Sequence, residues 1–275
     1  MNLLDGRIMM YVVTHKYFSL SLPSGYQKLM VGKNCLGKYM DGYIYDNQGN
    51  NISKKNSSYC EMTGLYWIWK HAINRHVGLC HYRRYFQRTA VIGFPGRPFP
   101  IEILDQYLEN YDCLVAQRVY ASRAEKTIYG QYCSNHYEKD LIILASTVEK
   151  SGNLYANAFG TLMRRDYFFP YNMFYSSREL MCDYCSWVFP ILSECENYID
   201  TSKYDLYQKR IYGFFAERLF NVWLLAQKKK ILEVPVMQIG TSFVSRFMFY
   251  KSQKLHQFSD FLSLNSQIKC NSSEQ

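Results

Sequence analysis

The residues best equipped for chemistry stand in one short window, His81-Tyr82-Arg83-Arg84-Tyr85, directly after the apolar stretch Val77-Gly78-Leu79-Cys80. An imidazole and two guanidiniums where a buried strand empties into a loop would suit a diphosphate. The planar arginine fork matches phosphate oxygens, and tyrosine adds a ring or a hydroxyl. The same spacing also fits a solvated basic turn. Its company favours the anion: Thr14-His15 ends another apolar, β-branched run, and Glu61, Thr63 and Tyr66-Trp67 lie between the two runs. In an open α/β sheet the carboxyl ends of neighbouring strands form the ligand crevice, so these groups would meet at one edge. Trp67 and Trp69 read as core aromatics. Glu61 reads either as a ligand contact or as the partner of Ser58 in a capping box.

Hydrophobic periodicity indicates the elements that must hold these groups. Residues 8–15 and 76–81 read as short buried strands, with a long turn-rich segment at 32–58 and a helix from Ser58 to about Asn74 between them. A short helix at 101–110 and a strand at 111–116 follow. Residues 117–135 show no clear period, as a mobile lid would. Residues 136–150 read as a helix with Leu141, Leu144, Ala145 and Val148 on one face, which places His136 and Asp140 one turn apart. A strand is expected at 171–175 and helices at 178–198 and 216–230, the last closing on three lysines that suit its negative end. Residues 231–239, with Pro235, read as an edge strand. Strands alternating with helices imply one α/β domain with a mostly parallel central sheet flanked by helices, followed by a C-terminal helical appendage.

Composition excludes several classes. The 275 residues are 48% hydrophobic and 17% aromatic, too apolar for a disordered chain, and carry 32 Lys plus Arg against 23 Asp plus Glu, a net charge of +9. No run reaches the roughly 18 apolar residues of a membrane span, and residues 1–7 lack a secretory pattern, so a cytoplasmic location is expected. The nine cysteines are scattered, which favours reduced thiols. Cys182-Asp183-Tyr184-Cys185 has no second ligand pair, so helical core thiols are favoured over zinc or redox chemistry. A nucleic-acid groove would need Lys and Arg over a long face. Here the cluster is short and Lys228-Lys229-Lys230 stands far along the chain, so no nucleic-acid partner is expected. Beyond residue 240, Phe247, Tyr250, Lys251, Lys254, Leu255, Phe258, Phe261 and Leu262 interleave basic and apolar side chains. That pattern fits an amphipathic segment resting on an anionic inner membrane, or a helix packed on the domain with a tail after Asn265.

Two long motifs, Tyr59-Cys60-Glu61-Met62-Thr63-Gly64-Leu65-Tyr66-Trp67-Ile68-Trp69-Lys70 and Val77-Gly78-Leu79-Cys80-His81-Tyr82-Arg83-Arg84-Tyr85-Phe86, closely resemble the signature of the DUF4422 family. Val13-Thr14-His15-Lys16, the stretch from Asn51 to Asn56, the stretch from His136 to Asp140, Tyr171-Asn172-Met173-Phe174 and residues 208–219 continue the resemblance in order, over about residues 8–240. Members are encoded with bacterial capsule, exopolysaccharide and O-antigen genes and are regarded as glycosyltransferases, some of them galactofuranosyltransferases.

The resemblance implies a GT-A-like, Rossmann-type domain at 1–240, with a nucleotide-sugar half to about 116, an acceptor half at 117–240, and the basic segment and tail at 241–275. It implies a UDP-sugar donor bound by Thr14, His15, Asn51, Asn56, Tyr59, Glu61, Thr63, His81, Tyr82, Arg83 and Arg84. It further implies a glycan acceptor, lipid-linked at the membrane, met by His136, Asp140, Asn172, Met173, Arg210 and Arg218. GT-A enzymes usually carry an Asp-x-Asp that holds Mn²⁺ or Mg²⁺ on the diphosphate. This sequence has none, so no metal cofactor is expected, with His81, Arg83 and Arg84 standing in for it. The alternative is a metal held by scattered carboxylates such as Asp41, Asp46 or Glu61. Gly213-Phe214-Phe215-Ala216-Glu217-Arg218 resembles the position of the base in inverting members, with Gly213 permitting a turn and Glu217 in the first turn of a helix. Glu217 is thus the catalytic candidate; the plainer reading is a dipole-complementing Glu paired with Arg218 or Arg210.

Overall fold

The computed structural model describes residues 8–32, 39–87 and 97–240. At the centre lies β1 (Ile8–Thr14), flanked on both sides by parallel partners, β2 (Tyr26–Met30) and β4 (His76–His81); β3 (Tyr43–Tyr45) adds to β2. Beyond β4 comes β9 (Phe174–Ser177), antiparallel to both β4 and β6 (Cys113–Ala116), and then β10 (Ile231–Val234), parallel to β6. The path β10-β6-β9-β4-β1-β2-β3 is therefore a mostly parallel sheet with one reversed strand in its middle. From the end of β4 the chain turns back as β5 (Arg84–Phe86), which pairs with β11 (Val236–Gln238). A small ribbon of β7 (Val119–Tyr120) and β8 (Tyr167–Phe168) stands apart.

Side chains alternate across the sheet as the period of two requires. Tyr11, Val13, Val77, Leu79, Val115 and Phe174 face one core, and Met10, Val12, Cys80, Leu114 and Tyr175 face the other. The first core is roofed by α2 (Met62–His71), α4 (Ile128–Asn135), α5 (Glu138–Lys150), α6 (Asn153–Arg164), α7 (Arg178–Glu196) and α8 (Ile211–Ala226). The second is covered by α3 (Ile101–Tyr107) and the β5–β11 ribbon. Helix α8 is buried nearly all round, and each of its enclosed large apolar side chains contributes about 1.5–3 kcal/mol. Among the described residues no helix is long and apolar enough to cross a membrane.

Several elements differ from the sequence reading. Strand β2 falls in a stretch the sequence reading left unassigned, because Gln27 and Lys28 break the apolar pattern, and β3, only three residues long, lies within the segment read as turn-rich. The capping box does not form: Ser58 Oγ donates back to the Lys55 carbonyl at 3.2 Å, and Cys60, with φ 52°, breaks the chain between α1 (Asn56–Tyr59) and α2. Residues 117–135 are no patternless lid. They hold β7 and α4, the latter capped by Thr127 Oγ1 accepting from Gly130 N at 3.1 Å. His136 ends α4 and Asp140 lies in the first turn of α5, so they do not share a helix. Helix α6 falls in a stretch the sequence reading left unassigned. Helix α8 starts at Ile211, earlier than expected, which puts Glu217 in its second turn and Gly213 inside it, while the three lysines lie beyond its end. Pro235 splits the last strand in two. Cys182 and Cys185 sit on α7, and among the described residues no group of three or more His, Cys, Asp or Glu could hold a metal ion. The segment at 241–275 lies outside the described residues.

Candidate active site

The carboxyl ends of β1 and β4 are tied together where Tyr82 N donates to the Val13 carbonyl at 3.1 Å. Thr14 is buried there, its hydroxyl bonded to the backbone of Lys16, and His15 stands edge-on to Tyr82 at 5.2 Å. The guanidinium of Arg83 and the ammonium of Lys16 lie 5.0 and 5.4 Å from the Tyr82 ring centre. These exposed cations beside an aromatic ring form a rim suited to an anion that also carries a flat group.

Deeper in, three chain breaks converge. The first is Cys60, which presents Glu61 at the start of α2. The second is Tyr171-Asn172, where both residues take left-handed φ values of 76° and 51° ahead of β9. Such backbone is strained for residues other than glycine and is retained where the surroundings fix it. The third is α8 together with the single 3-10 turn before it (Gln208–Arg210). Asn172 Nδ2 donates to Glu61 Oε1 at 2.6 Å and approaches the Gly213 carbonyl at 3.4 Å, which locks the elbow at Glu61 to α8. Gly213 makes room for this: a Cβ there would stand 3.2 Å from Cys60 Cβ and Sγ. Arg210 Nε donates to Cys60 Sγ at 3.2 Å.

Glu217 is held at both oxygens. Tyr171 N donates to Oε1 at 2.9 Å and Arg218 Nη1 to Oε2 at 3.0 Å. Arg218, only 2% exposed, is fixed in turn by the Phe214 carbonyl at 3.2 Å and Gln131 Oε1 at 2.5 Å. The Glu217 side chain keeps 20% of its surface, so two lone pairs remain for a visitor. Burial raises its pKa, with nearby Glu61 adding to the shift, against the opposing pull of Arg218 and Arg84. Glu61 is raised by burial as well, against Asn172, Arg210 and Arg84. Two carboxyls with raised pKa values beside guanidiniums form an arrangement suited to proton transfer.

His81 behaves differently from the cation expected of it. Its Nε2 lies 2.6 Å from the Tyr171 carbonyl, which can only accept, so Nε2 carries the proton and Nδ1 a lone pair. Burial, with Arg84 nearby, pushes the imidazole down to about 4. At neutral pH it is an uncharged acceptor, and the positive charge comes from Lys16, Arg83, Arg84 and Arg210. The Arg84 guanidinium lies over the Tyr171 ring at 4.2 Å, and Gln238 holds the Tyr171 hydroxyl at 3.0 Å.

The remaining sequence candidates lie further out. Asn51 shapes its own turn by accepting from Ser53 N at 3.1 Å. Asn56 bonds the Cys60 carbonyl at 2.7 Å and the buried Thr63 hydroxyl at 3.0 Å, bracing the elbow from behind. Tyr59 is buried against Tyr212 at 4.9 Å. Met173 is fully buried in the second core and cannot line a cleft. Asp140 is buried behind the site, where it accepts from the Tyr204 hydroxyl at 2.8 Å. His136 packs against Phe214 at 4.1 Å, beside Arg210. Sequence reasoning missed Tyr171, Cys60, Lys16 and Gln131. Pro170 followed by Tyr171-Asn172 was the available signal for the first, since Asn tolerates left-handed backbone.

No curated protein matches the sequence. Among solved structures, the apo form of the bifunctional glycosyltransferase WbbM superposes with a TM-score of 0.77 at 26% identity, over 86% of this chain and 46% of that one. The chain thus spans about half the length of that protein. Residues 9–229 match the family described as a domain of unknown function, DUF4422. With the two long motifs lying inside that match, the chain belongs to the DUF4422 family.

Proposed function

We propose that the protein is a glycosyltransferase that moves a hexosyl unit, galactosyl or galactofuranosyl, from a UDP-sugar to a glycan acceptor in bacterial surface polysaccharide synthesis. The observation that carries this reading is a neighbourhood: a cationic aromatic rim at the carboxyl ends of β1 and β4 lies close enough to two carboxyls of raised pKa for Arg210 to act on both His15 and Glu61, and Glu217 on His81. The likeness to a bifunctional glycosyltransferase supports it. The acceptor hydroxyl attacks the anomeric carbon and loses its proton to Glu217, while the bond to the diphosphate breaks on the opposite face, inverting the centre. Charge gathering on the departing nucleoside diphosphate is met by Arg83, Arg84 and Lys16 in place of a metal ion. Uridine would stack at the rim by Tyr82 and His15.

The test is a screen of UDP-sugars for hydrolysis and transfer, with and without EDTA. Turnover of one UDP-sugar, undiminished by EDTA, is expected. Loss in EDTA with rescue by Mn²⁺ would overturn the fixed-cation version, and stabilisation by single-stranded DNA alone in a thermal-shift panel would overturn the enzyme. A lipid-linked acceptor and contact with the anionic inner leaflet belong to the same reading and rest on the basic, aromatic pattern at 243–262. Failure of the full chain to sediment with anionic vesicles would remove that part.

A further inference from the structure

Beside the carboxyl cluster, the turn that leads into α8 presents an aromatic face to solvent. Tyr207 is 50% exposed and Leu206 87%. Behind Tyr207 the His136 ring lies nearly parallel, with centroids 5.7 Å apart and planes at 15°. Phe214 and Tyr132 enclose the imidazole further, at 4.1 and 4.8 Å.

The polar atoms in this stack have assignable roles. Gln208 Nε2 donates to the Asn135 carbonyl at 2.8 Å, which leaves Oε1 as the acceptor facing His136 Nδ1 at 3.1 Å. Nδ1 therefore carries the proton, and Nε2 offers a lone pair. Burial pushes this imidazole down to about 4, so it stays neutral. Arg210 lies 5.5 Å from the Phe214 ring centre and 5.9 Å from that of Tyr207. Its Nε is anchored on Cys60, which leaves the two Nη groups to donate.

An exposed flat aromatic face beside a fixed cationic donor suits a sugar ring, which has one apolar C–H face and a rim of hydroxyls. A lipid chain would use only the first of the two. We propose that Tyr207 and Arg210 form an acceptor subsite: a hexosyl ring stacks on the solvent face of Tyr207 and its hydroxyls bond the Arg210 guanidinium, while the neutral His136 ring backs the tyrosine from its buried side. This rests on the glycosyltransferase reading and deepens it, by naming the side from which the acceptor enters. Arg210 also acts on Glu61, so the subsite is continuous with the carboxyl cluster.

Saturation-transfer NMR on the full chain with octyl β-galactopyranoside tests the assignment. Ring protons should receive saturation in the wild type, and Tyr207→Ala should reduce it at least fivefold. His136→Phe, which keeps a flat ring behind Tyr207, should leave most of the ring signal in place, whereas Arg210→Gln should weaken it. Leu206→Ala, on the same exposed turn, should leave the ring signal intact. Saturation confined to the octyl chain, a ring signal that survives Tyr207→Ala, or an equal loss in Leu206→Ala would overturn the subsite. Ring binding at Tyr207 by a chain that turns over no nucleotide sugar would instead overturn the enzyme reading and leave the subsite standing.

Discussion

Glu217 combines two properties that usually oppose each other. Burial lifts its pKa above the ordinary range, while its buried partner Arg218 pulls the other way. In the proposed role of base, a carboxylate raised in this way accepts a proton more readily than an exposed Glu. Glu217→Gln should lower turnover by about 10²-fold or more while UDP-sugar affinity, measured by calorimetry, stays within a few-fold. The sign of the pH dependence follows from the raised pKa. The ionised form is the active one, so kcat/KM should fall as pH drops through a value higher than the usual ~4.3 of Glu. An acid limb at the unperturbed value, or near-normal turnover in the Gln variant, would remove Glu217 from the reaction. Arg83→Ala should act on the other side of the same step, weakening diphosphate binding more at low salt than at high.

At the scale of elements, the close approach of α8 to the Cys60–Glu61 elbow sets the geometry. Replacing glycine by alanine inside a helix ordinarily favours it by roughly 0.5–1 kcal/mol. At Gly213 the new methyl would press on Cys60 at 3.2 Å, so the elbow must shift by a few tenths of an ångström. Gly213→Ala should therefore leave the melting temperature within a few degrees and cut activity on the order of tenfold, because positioning errors well below 1 Å are felt in catalysis. A fully active variant would show that the Asn172 bridge tolerates movement. The same elements mark how far the sequence could be read. Strands β1, β4 and β6 were legible as continuous apolar runs, and α7 by its period, because burial on both faces or on one stripe leaves a plain pattern. The rim at His15, Tyr82 and Arg83 was legible because it directly follows those runs. The turn at Tyr171-Asn172, the break at Cys60 and the tautomer of His81 were not. The first and last are decided by a backbone carbonyl or a side chain more than 40 residues away in sequence, and the Sγ of Cys60 likewise meets Arg210, 150 residues on, to which local pattern carries no reference.

For the molecule as a whole, the buried imidazoles govern acid stability. His81 and His136 are both pushed down to about 4, whereas an unfolded chain binds a proton at each near 6.5. Between about pH 6.5 and 4 the unfolded state holds more protons, so the stability these groups contribute is lost as pH falls through that window. The raised carboxyls of Glu61, Glu217 and Asp140 run the other way. The clean measurement is therefore a difference. Denaturation midpoints of wild type and of a His81→Asn, His136→Asn double variant should converge as pH falls, and a constant gap would show that neither imidazole is neutralised by the fold.

The reversed strand β9 has a consequence in time. Strand β4 gains one neighbour from residues 8–14, already synthesised when β4 appears, and the other from residues 174–177. At about 5–20 residues per second, the ninety or so residues between them take roughly 5 to 20 s to make. Throughout that interval a nascent chain can hold His15, Tyr82 and Arg83 together while His76 to Leu79 lack their second neighbouring strand and Glu217 does not yet exist. Chaperone demand during synthesis should peak before β9 arrives and fall once it seats.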